Sequence, residues 1–454
     1  MSGDAAMVVK AGVISVGALL IGQLIRFLAN IFLAKYLAPS AFGMVGIVNM
    51  ILLGINLFSD IGLRQLVIQK KDVPTREFLD TVWVVQIVRG IVILMVALMG
   101  ALLIAGLQHF GMAIDNVYAN PLVPALIAGA ALSALTNGFE STKVLTARRN
   151  LDLNRVTAFV LTSQVCSVLV MVAIAKATAS PWALIAGAIS SSILQVMLSH
   201  LALPGLRNKL RLDKALAVSL LKRGRWILLA SPLTFLSANA EVFILGGLVN
   251  ASLLGNYMIA FLLANVVHQI ATTLSLNVFF PALSRSAVDG VLGMSRAYLR
   301  YQLMSDALIV TAGGFLLAAG PAFVSLFFDD RYSMAGKLLS ALAIGLVGVR
   351  YHVIEQLMNA QGKFKFGALL SSLRLTFVVV GTFGGYHFGG LTGAALGAGM
   401  SWFSGWPVLL WFRAKCLPWP WRYELAAITF LASGYALGNL FTQLVERFHL
   451  RIVH

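Results

Sequence analysis

The stretch that decides the fold is LDTVWVVQIVRGIVILMVALMGALLIAG, residues 79–106, in which only Asp80 and Arg89 carry charge. A membrane-spanning helix needs about 20 consecutive, mostly apolar residues. This stretch is longer than that. We therefore expect residues 79–106 to span a membrane.

The same pattern recurs along the whole chain of 454 residues, which is 59% hydrophobic and only 11% charged. Soluble domains contain about 25% charged residues, so a large soluble domain is excluded. Open sheet edges cannot face lipid, and the sequence therefore predicts an all-α polytopic membrane protein with about 13 transmembrane helices, within a range of 12 to 14. The predicted spans are residues 11–34, 41–64, 79–106, 121–145, 156–176, 181–203, 224–249, 255–281, 301–328, 336–359, 366–386, 389–412 and 423–444.

The net charge of +17 is distributed unevenly over the connecting loops. With the N-terminus in the cytoplasm, 24 of the 34 Lys and Arg residues fall on the cytoplasmic side, six on the opposite side and four inside spans. Such a bias is the positive-inside signal of membrane proteins. It predicts that the basic loops face anionic headgroups rather than nucleic acid. The N-terminus is therefore expected in the cytoplasm.

An internal repeat appears when the sequence is shifted by 212–213 residues. KYLAPSAFGMVGI at 35–47 then aligns with GLVNASLLGNYMIA at 247–260, and ALIAG at 183–187 aligns with ALGAG at 395–399. Tandem halves of this kind are typical of alternating-access transporters. We predict four parts, which are an N-terminal six-helix lobe (1–203), an amphipathic cytoplasmic linker helix (204–223), a C-terminal six-helix lobe (224–412) and an additional C-terminal helix (413–454).

Several motifs resemble the polysaccharide transporter family, the Wzx-like flippases of O-antigen and exopolysaccharide synthesis. They are LAKYLAPSAFGMVGIVN at 33–49, FSDIGLRQLVIQKKD at 58–72, ILGGLVNASLLGNYMIA at 244–260 and FVSLFFDDRY at 323–332. The resemblance implies two pseudo-symmetric six-helix lobes in a V shape. It also implies translocation of undecaprenyl-pyrophosphate-linked oligosaccharide units across the bacterial inner membrane. We expect no cofactor, with coupling to H⁺ or Na⁺ left open. A glycan polymerase and chain-length machinery are then possible partners.

Four arginines lie inside predicted spans, namely Arg26, Arg89, Arg350 and Arg374. An Arg at the bilayer centre costs at least about 2.5 kcal/mol, so each needs a partner or a water-filled cavity. Because few carboxylates lie equally deep, we expect some guanidinium charge to be unpaired. Guanidinium binds phosphate through two parallel hydrogen bonds, and these four residues are the predicted substrate-binding set. The alternative is structural pairing, for example of Arg26 with Glu241.

Three further polar residues in spans could bind a coupling proton or Na⁺. Glu241 lies deep in its span, and His352 and Glu355 are three residues apart on one helical face. The alternatives are a salt bridge for Glu241 and a satisfied polar pair for His352 with Glu355.

Two other functions remain open. A proton- or sodium-coupled multidrug exporter of the same superfamily would have the same architecture, although exporters of cations favour acidic cavities. A membrane glycan polymerase or ligase would use the same substrates, but the external loops are short and carry few groups for acid–base catalysis. We therefore expect a transporter rather than an enzyme, with no metal site.

Overall fold

The computed structural model describes residues 2–69, 72, 74–111, 116–150, 152–286, 290–363, 365–416 and 422–452. Within those residues every element of regular secondary structure is a helix, and no strand occurs. It divides into two compact units, unit 1 (residues 1–235) and unit 2 (residues 236–454). The division lies inside the ninth helix, α9.

The helices of unit 1, with α9 continuing into unit 2, are α1 (Ser2–Tyr36), α2 (Pro39–Phe58), α3 (Leu63–Gln69), α4 (Arg76–His109), α5 (Leu122–Gly138), α6 (Lys143–Arg149), α7 (Leu153–Thr178), α8 (Trp182–Leu201) and α9 (Lys214–Leu248). Those of unit 2 are α10 (Ala251–Leu274), α11 (Phe280–Ser286), α12 (Gly290–Ser305), α13 (Thr311–Phe327), α14 (Ser333–Val349), α15 (His352–Ala360), α16 (Lys365–Met400), α17 (Trp406–Cys416) and α18 (Arg422–Ile452). Two π-helical turns, Ser275–Phe279 and Asp306–Val310, join α10 to α11 and α12 to α13.

Local sequence explains where several of these helices begin. Pro39 opens α2, where its missing N–H is not needed. Thr75 and Asn250 precede α4 and α10, and their side chains accept hydrogen bonds from the backbone N–H groups of Phe78 and Leu253. These N-caps satisfy donors that have no partner within the helix. The starts of α2 and α10 are also separated by the offset of the predicted repeat.

The helices confirm the all-α membrane fold. Within the described residues, ten helical stretches are long and apolar enough to cross a membrane, and an eleventh is the bent pair Leu122–Gly138 and Lys143–Arg149 if it forms one span. One of the ten, Phe366–Cys416, is 51 residues long, or about 75 Å at 1.5 Å per residue. That length exceeds twice the ~30 Å thickness of a hydrocarbon core. Each of the thirteen predicted segments overlaps a helix.

The long helix α16 breaks where the sequence predicts a turn between two spans. Gly389 and Gly390 leave the helical conformation, and Gly390 has a φ of 58°. A side chain at that φ would clash with the backbone, so glycine suits the position. The neighbouring Phe388 is 91% exposed, as expected for the tip of a hairpin.

The predicted linker helix over 204–223 is wrong in its first half. Residues 204–213 are not helical, and helix α9 begins only at Lys214 and continues without interruption to Leu248. The backbone N–H of Lys209 donates to Asp80 at 2.9 Å, and that of Asp213 donates to Thr81 at 3.2 Å. Because side chains of α4 accept these hydrogen bonds, residues 204–213 run along unit 1 and do not form an interfacial helix.

The C-terminal helix α18 is an integral part of unit 2. It packs lengthwise on α13 through glycines on both helices. A Cβ at Gly434 would lie 2.1 Å from the Thr311 carbonyl oxygen, and one at Gly314 would lie 2.4 Å from the Leu431 carbonyl oxygen. Small residues let helices approach this closely in membranes. Helix α18, which the sequence analysis predicted as an additional helix after the C-terminal lobe, therefore packs as part of unit 2.

Candidate functional site

A group of polar side chains surrounds Arg374 inside unit 2, and we call it the Arg374 cluster. Its members come from five separate elements and are Glu241, His268, His352, Glu355, Arg374 and Trp402. The sequence analysis proposed four of them separately, with Arg374 as a substrate contact and Glu241, His352 and Glu355 as coupling residues. The structure brings those four together.

The guanidinium of Arg374 lies over an indole ring. Its Cζ atom is 3.0 Å from the Trp402 ring centroid, a cation–π contact of about 0.5–2 kcal/mol depending on desolvation. The Nε of Arg374 is buried without an acceptor, and Arg374 forms no ion pair within 4 Å in the described chain. Its charge interacts at longer range with the carboxylates of Glu241 and Glu355. Arg374 is thus held in place by stacking while its hydrogen-bonding capacity is incompletely used.

Two histidines complete the cluster. The His268 ring centroid lies 4.1 Å from that of Trp402 and 5.5 Å from that of His352. The Nε2 atom of His268 is buried without a partner. The sequence alone indicates only a packing role for the lone His268 and no role for Trp402, because no spacing in the chain relates them to Arg374.

The carboxylate of Glu241 is buried among side chains of unit 2. Glu241 is 6% exposed, and its Oε2 atom has no hydrogen-bond donor. The hydroxyl of Tyr257 nearby is also buried without a partner. Buried polar groups normally form hydrogen bonds. The Glu241 Oε2 and Tyr257 hydroxyl oxygens therefore have unused capacity to accept a proton or a cation.

Arg350 lies in a different environment, where it is fully paired. Its Nε and Nη2 atoms donate to the two carboxylate oxygens of Asp306 at 2.7 Å each, and its Nη1 donates to Glu424. Arg350 is 3% exposed and Asp306 is completely buried. Glu424 also accepts from Arg413, which contacts Tyr298. This arrangement favours the structural alternative that the sequence analysis left open for Arg350.

Arg89 belongs to unit 1 and is anchored to the C-terminal end of α2. Its Nη2 donates to the Asn56 carbonyl at 2.7 Å, its Nε donates to Ser59 at 3.2 Å, and Nη1 lies 3.9 Å from Asp60. The last carbonyls of a helix have no partner within it and carry partial negative charge. Arg89 therefore caps α2 and lines a cavity of about 310 Å³.

Arg26 is the one member of the predicted set that is exposed. It lies in the middle of α1 and forms no ion pair within 4 Å in the part of the chain that the structure describes. Since an unpaired guanidinium in hydrocarbon costs several kcal/mol, its exposed face must meet water or a polar ligand. Of the four predicted arginines, Arg350 and Arg89 thus have carboxylate partners within 4 Å, whereas Arg26 and Arg374 have none among the described residues. Their contact with substrate stays a prediction.

Comparison with known proteins agrees with this architecture. The lipopolysaccharide biosynthesis protein WzxC of Escherichia coli (strain K12) is 23% identical over 368 residues, which cover 77% of this chain and 70% of WzxC. The lipid II flippase MurJ in an inward closed conformation has a similar fold, with a TM-score of 0.69, 13% identity and coverage of 98% of this chain and 99% of MurJ.

A multidrug resistance transporter of the MATE family and the MOP superfamily, in an inward-facing conformation, is also similar. Its TM-score is 0.65, with 13% identity and coverage of 94% of this chain and 96% of that one. At 13% identity, the two structural comparisons establish only that this chain has the same fold as MurJ and the MATE transporter. The family model described as "Polysaccharide biosynthesis protein" matches residues 32–337, about two thirds of the chain, and the chain belongs to this family.

Proposed function

We propose that the protein is a flippase that moves polyprenyl-pyrophosphate-linked oligosaccharide units across the bacterial inner membrane for O-antigen or exopolysaccharide synthesis. The observation that carries the proposal is the presence of two guanidinium groups, at Arg26 and Arg374, that form no ion pair within 4 Å in the described residues and lie inside helices apolar enough to span a membrane. A pyrophosphate or a sugar acid offers oxygens to such groups.

The chemistry of the Arg374 cluster suits a glycan headgroup. Arg374 offers unused N–H donors to anionic oxygens, while the carboxylates of Glu241 and Glu355 accept from sugar hydroxyls. The Trp402 ring is already stacked against Arg374 and His268, so it positions the guanidinium for the headgroup. Arg350, paired with Asp306 and Glu424, positions the helices and makes no substrate contact in this account.

The mechanism that we propose is alternating access. The headgroup binds from the cytoplasm while the polyprenyl tail stays in lipid, and its desolvation is offset by hydrogen bonds to arginine. A change of conformation then opens the site to the opposite side. Glu241, Glu355 and His352 are the groups at which a proton or Na⁺ would couple to this change, and no covalent bond is made or broken.

The test measures which membrane face holds the lipid-linked glycan. Cells that lack the protein are expected to accumulate one repeat unit on the cytoplasmic face, and Arg374→Gln is expected to reproduce that accumulation. Arg300→Gln is the matched control, because it removes a guanidinium from an exposed position on α12. An unchanged glycan pool in cells without the protein would contradict the proposal, and accumulation on the outer face would point to a missing polymerase or ligase.

A second candidate is a proton- or sodium-coupled multidrug exporter. The specific observation that favours it is the pair of carboxylates, Glu241 and Glu355, that face a single cation, Arg374, in the cluster. A cationic drug could compete with Arg374 for them. If loss of the protein raised sensitivity to cationic drugs and left lipid-linked glycans unchanged, this function would replace the first.

A further inference from the structure

A second basic site lies in unit 1, whereas the Arg374 cluster belongs to unit 2. The C-terminal ends of α2 and α5, the interior of α4, and the short helices α3 and α6 line a cavity of about 310 Å³, and we call it the Arg148 cavity. Its volume is at the lower end of the range for ligand pockets, ~300–1,000 Å³. The charged residues that line it are Asp60, Arg64, Arg89, Glu140 and Arg148.

The charges of the Arg148 cavity do not balance. Three guanidinium groups face two carboxylates, which leaves one positive charge in excess. Arg89 is already committed to the end of α2 and to Asp60. Glu140 is therefore shared electrostatically between Arg64 and Arg148, and within the described residues neither arginine reaches it or another carboxylate at 4 Å or less.

Arg148 is the group that indicates a ligand. Its side chain is half-buried, and its Nε atom is buried without a hydrogen-bond acceptor. A buried donor without an acceptor destabilises a protein by about 1–3 kcal/mol. Arg64 is exposed and lines the same cavity. The two guanidiniums thus offer several N–H donors to one space, and planar guanidinium groups match the spacing of phosphate oxygens.

We propose that the Arg148 cavity binds a phosphate group, with Arg64 and Arg148 as the binding residues and Arg89 as a fixed positive charge behind them. The phosphate belongs either to a lipid headgroup or to a soluble ion. The positive-inside distribution predicts that this end of unit 1 faces the cytoplasm, where both sources are present. The proposal concerns unit 1 alone, so it stands or fails independently of the flippase function.

The experiment measures thermal unfolding of the purified full-length protein in nanodiscs. In phosphatidylcholine nanodiscs the soluble probes are inorganic phosphate and pyrophosphate, with sodium chloride at equal ionic strength as the reference. In the second arm the nanodiscs contain increasing phosphatidylglycerol. A saturable rise in Tm with a soluble probe assigns the phosphate to an ion, and a rise only with phosphatidylglycerol assigns it to a headgroup.

Arg148→Gln is expected to weaken the saturable effect at least tenfold, because a charge-assisted hydrogen bond is lost. Arg155→Gln is the matched control, since it removes an exposed arginine at the start of α7 that is not among the cavity's lining residues. If Arg148→Gln does not fold, the exposed Arg64→Gln replaces it. No saturable stabilisation by any probe, or equal stabilisation of both cavity variants and the wild type, would overturn the proposal.

Discussion

The ion pair between Arg350 and Asp306 allows a sharp prediction about stability. Both side chains are buried, and they share two hydrogen bonds of 2.7 Å. Asp306→Asn keeps the shape of the side chain but leaves the buried guanidinium without its main counter-charge. Removing one partner of a buried pair costs about 3–5 kcal/mol. At about 2–4 °C per kcal/mol for a unit of this size, Tm should fall by roughly 6–20 °C.

The assay is thermal unfolding of the purified protein in detergent, with Glu77→Gln as the matched control. Glu77 pairs with Arg211 at 3.1 Å, but their side chains are 61% and 69% exposed, so we expect its loss to cost less than about 1 kcal/mol. Replacing the whole pair, as in Asp306→Leu with Arg350→Met, should restore much of the Tm because no buried charge is left unpaired. Equal Tm shifts for Asp306→Asn and Glu77→Gln would refute this reasoning.

Three further predictions concern a helix–helix contact, a glycine turn and a helix N-cap, and each is measured as a change in Tm. Gly434→Ala places a methyl group 2.1 Å from the Thr311 carbonyl oxygen and should lower the free energy of unfolding by about 1–3 kcal/mol. Gly384→Ala is the control, because its methyl group meets no atom within 4 Å and should be neutral or stabilising. Equal effects of the two substitutions would contradict the close packing of α18. Gly390→Ala should cost about 1–2 kcal/mol because its φ is 58°, and an unchanged Tm would show that the hairpin tip adapts. Thr75→Ala should cost about 0.5–1 kcal/mol by loss of the α4 N-cap, and Thr75→Asn should retain most of the stability if capping is the cause.

The apolar segments were predictable because each depends on local sequence. A span is a continuous apolar run, and Gly389 with Gly390 is a local turn signal. The start of α9 was not predicted correctly, because the hydrogen bonds from Lys209 to Asp80 and from Asp213 to Thr81 join parts of the chain that are far apart in sequence. Amphipathic spacing alone could not reveal them.

The candidate sites show the same limit. Charge and depth selected Arg350 and Arg374 equally well, since both lie inside predicted spans. The two arginines differ in their partners. Arg350 pairs with Glu424 on α18, and Arg374 stacks on Trp402, which follows the Gly390 turn in the chain. The Arg148 cavity was missed for a related reason. Arg64 and Arg148 were counted as loop charges, and only the fold shows that they share one space with Arg89.

The central claim is that the protein carries lipid-linked glycan through contacts with arginine in the membrane. The most direct measurement reconstitutes the purified protein in vesicles that contain a polyprenyl-pyrophosphate oligosaccharide and follows its access to an external, membrane-impermeant glycan-binding probe. We expect the wild type and Arg300→Gln to move the glycan, and Arg26→Gln and Arg374→Gln to slow its movement at least tenfold. Equal rates in vesicles with and without protein, or full activity in both arginine variants, would contradict the account.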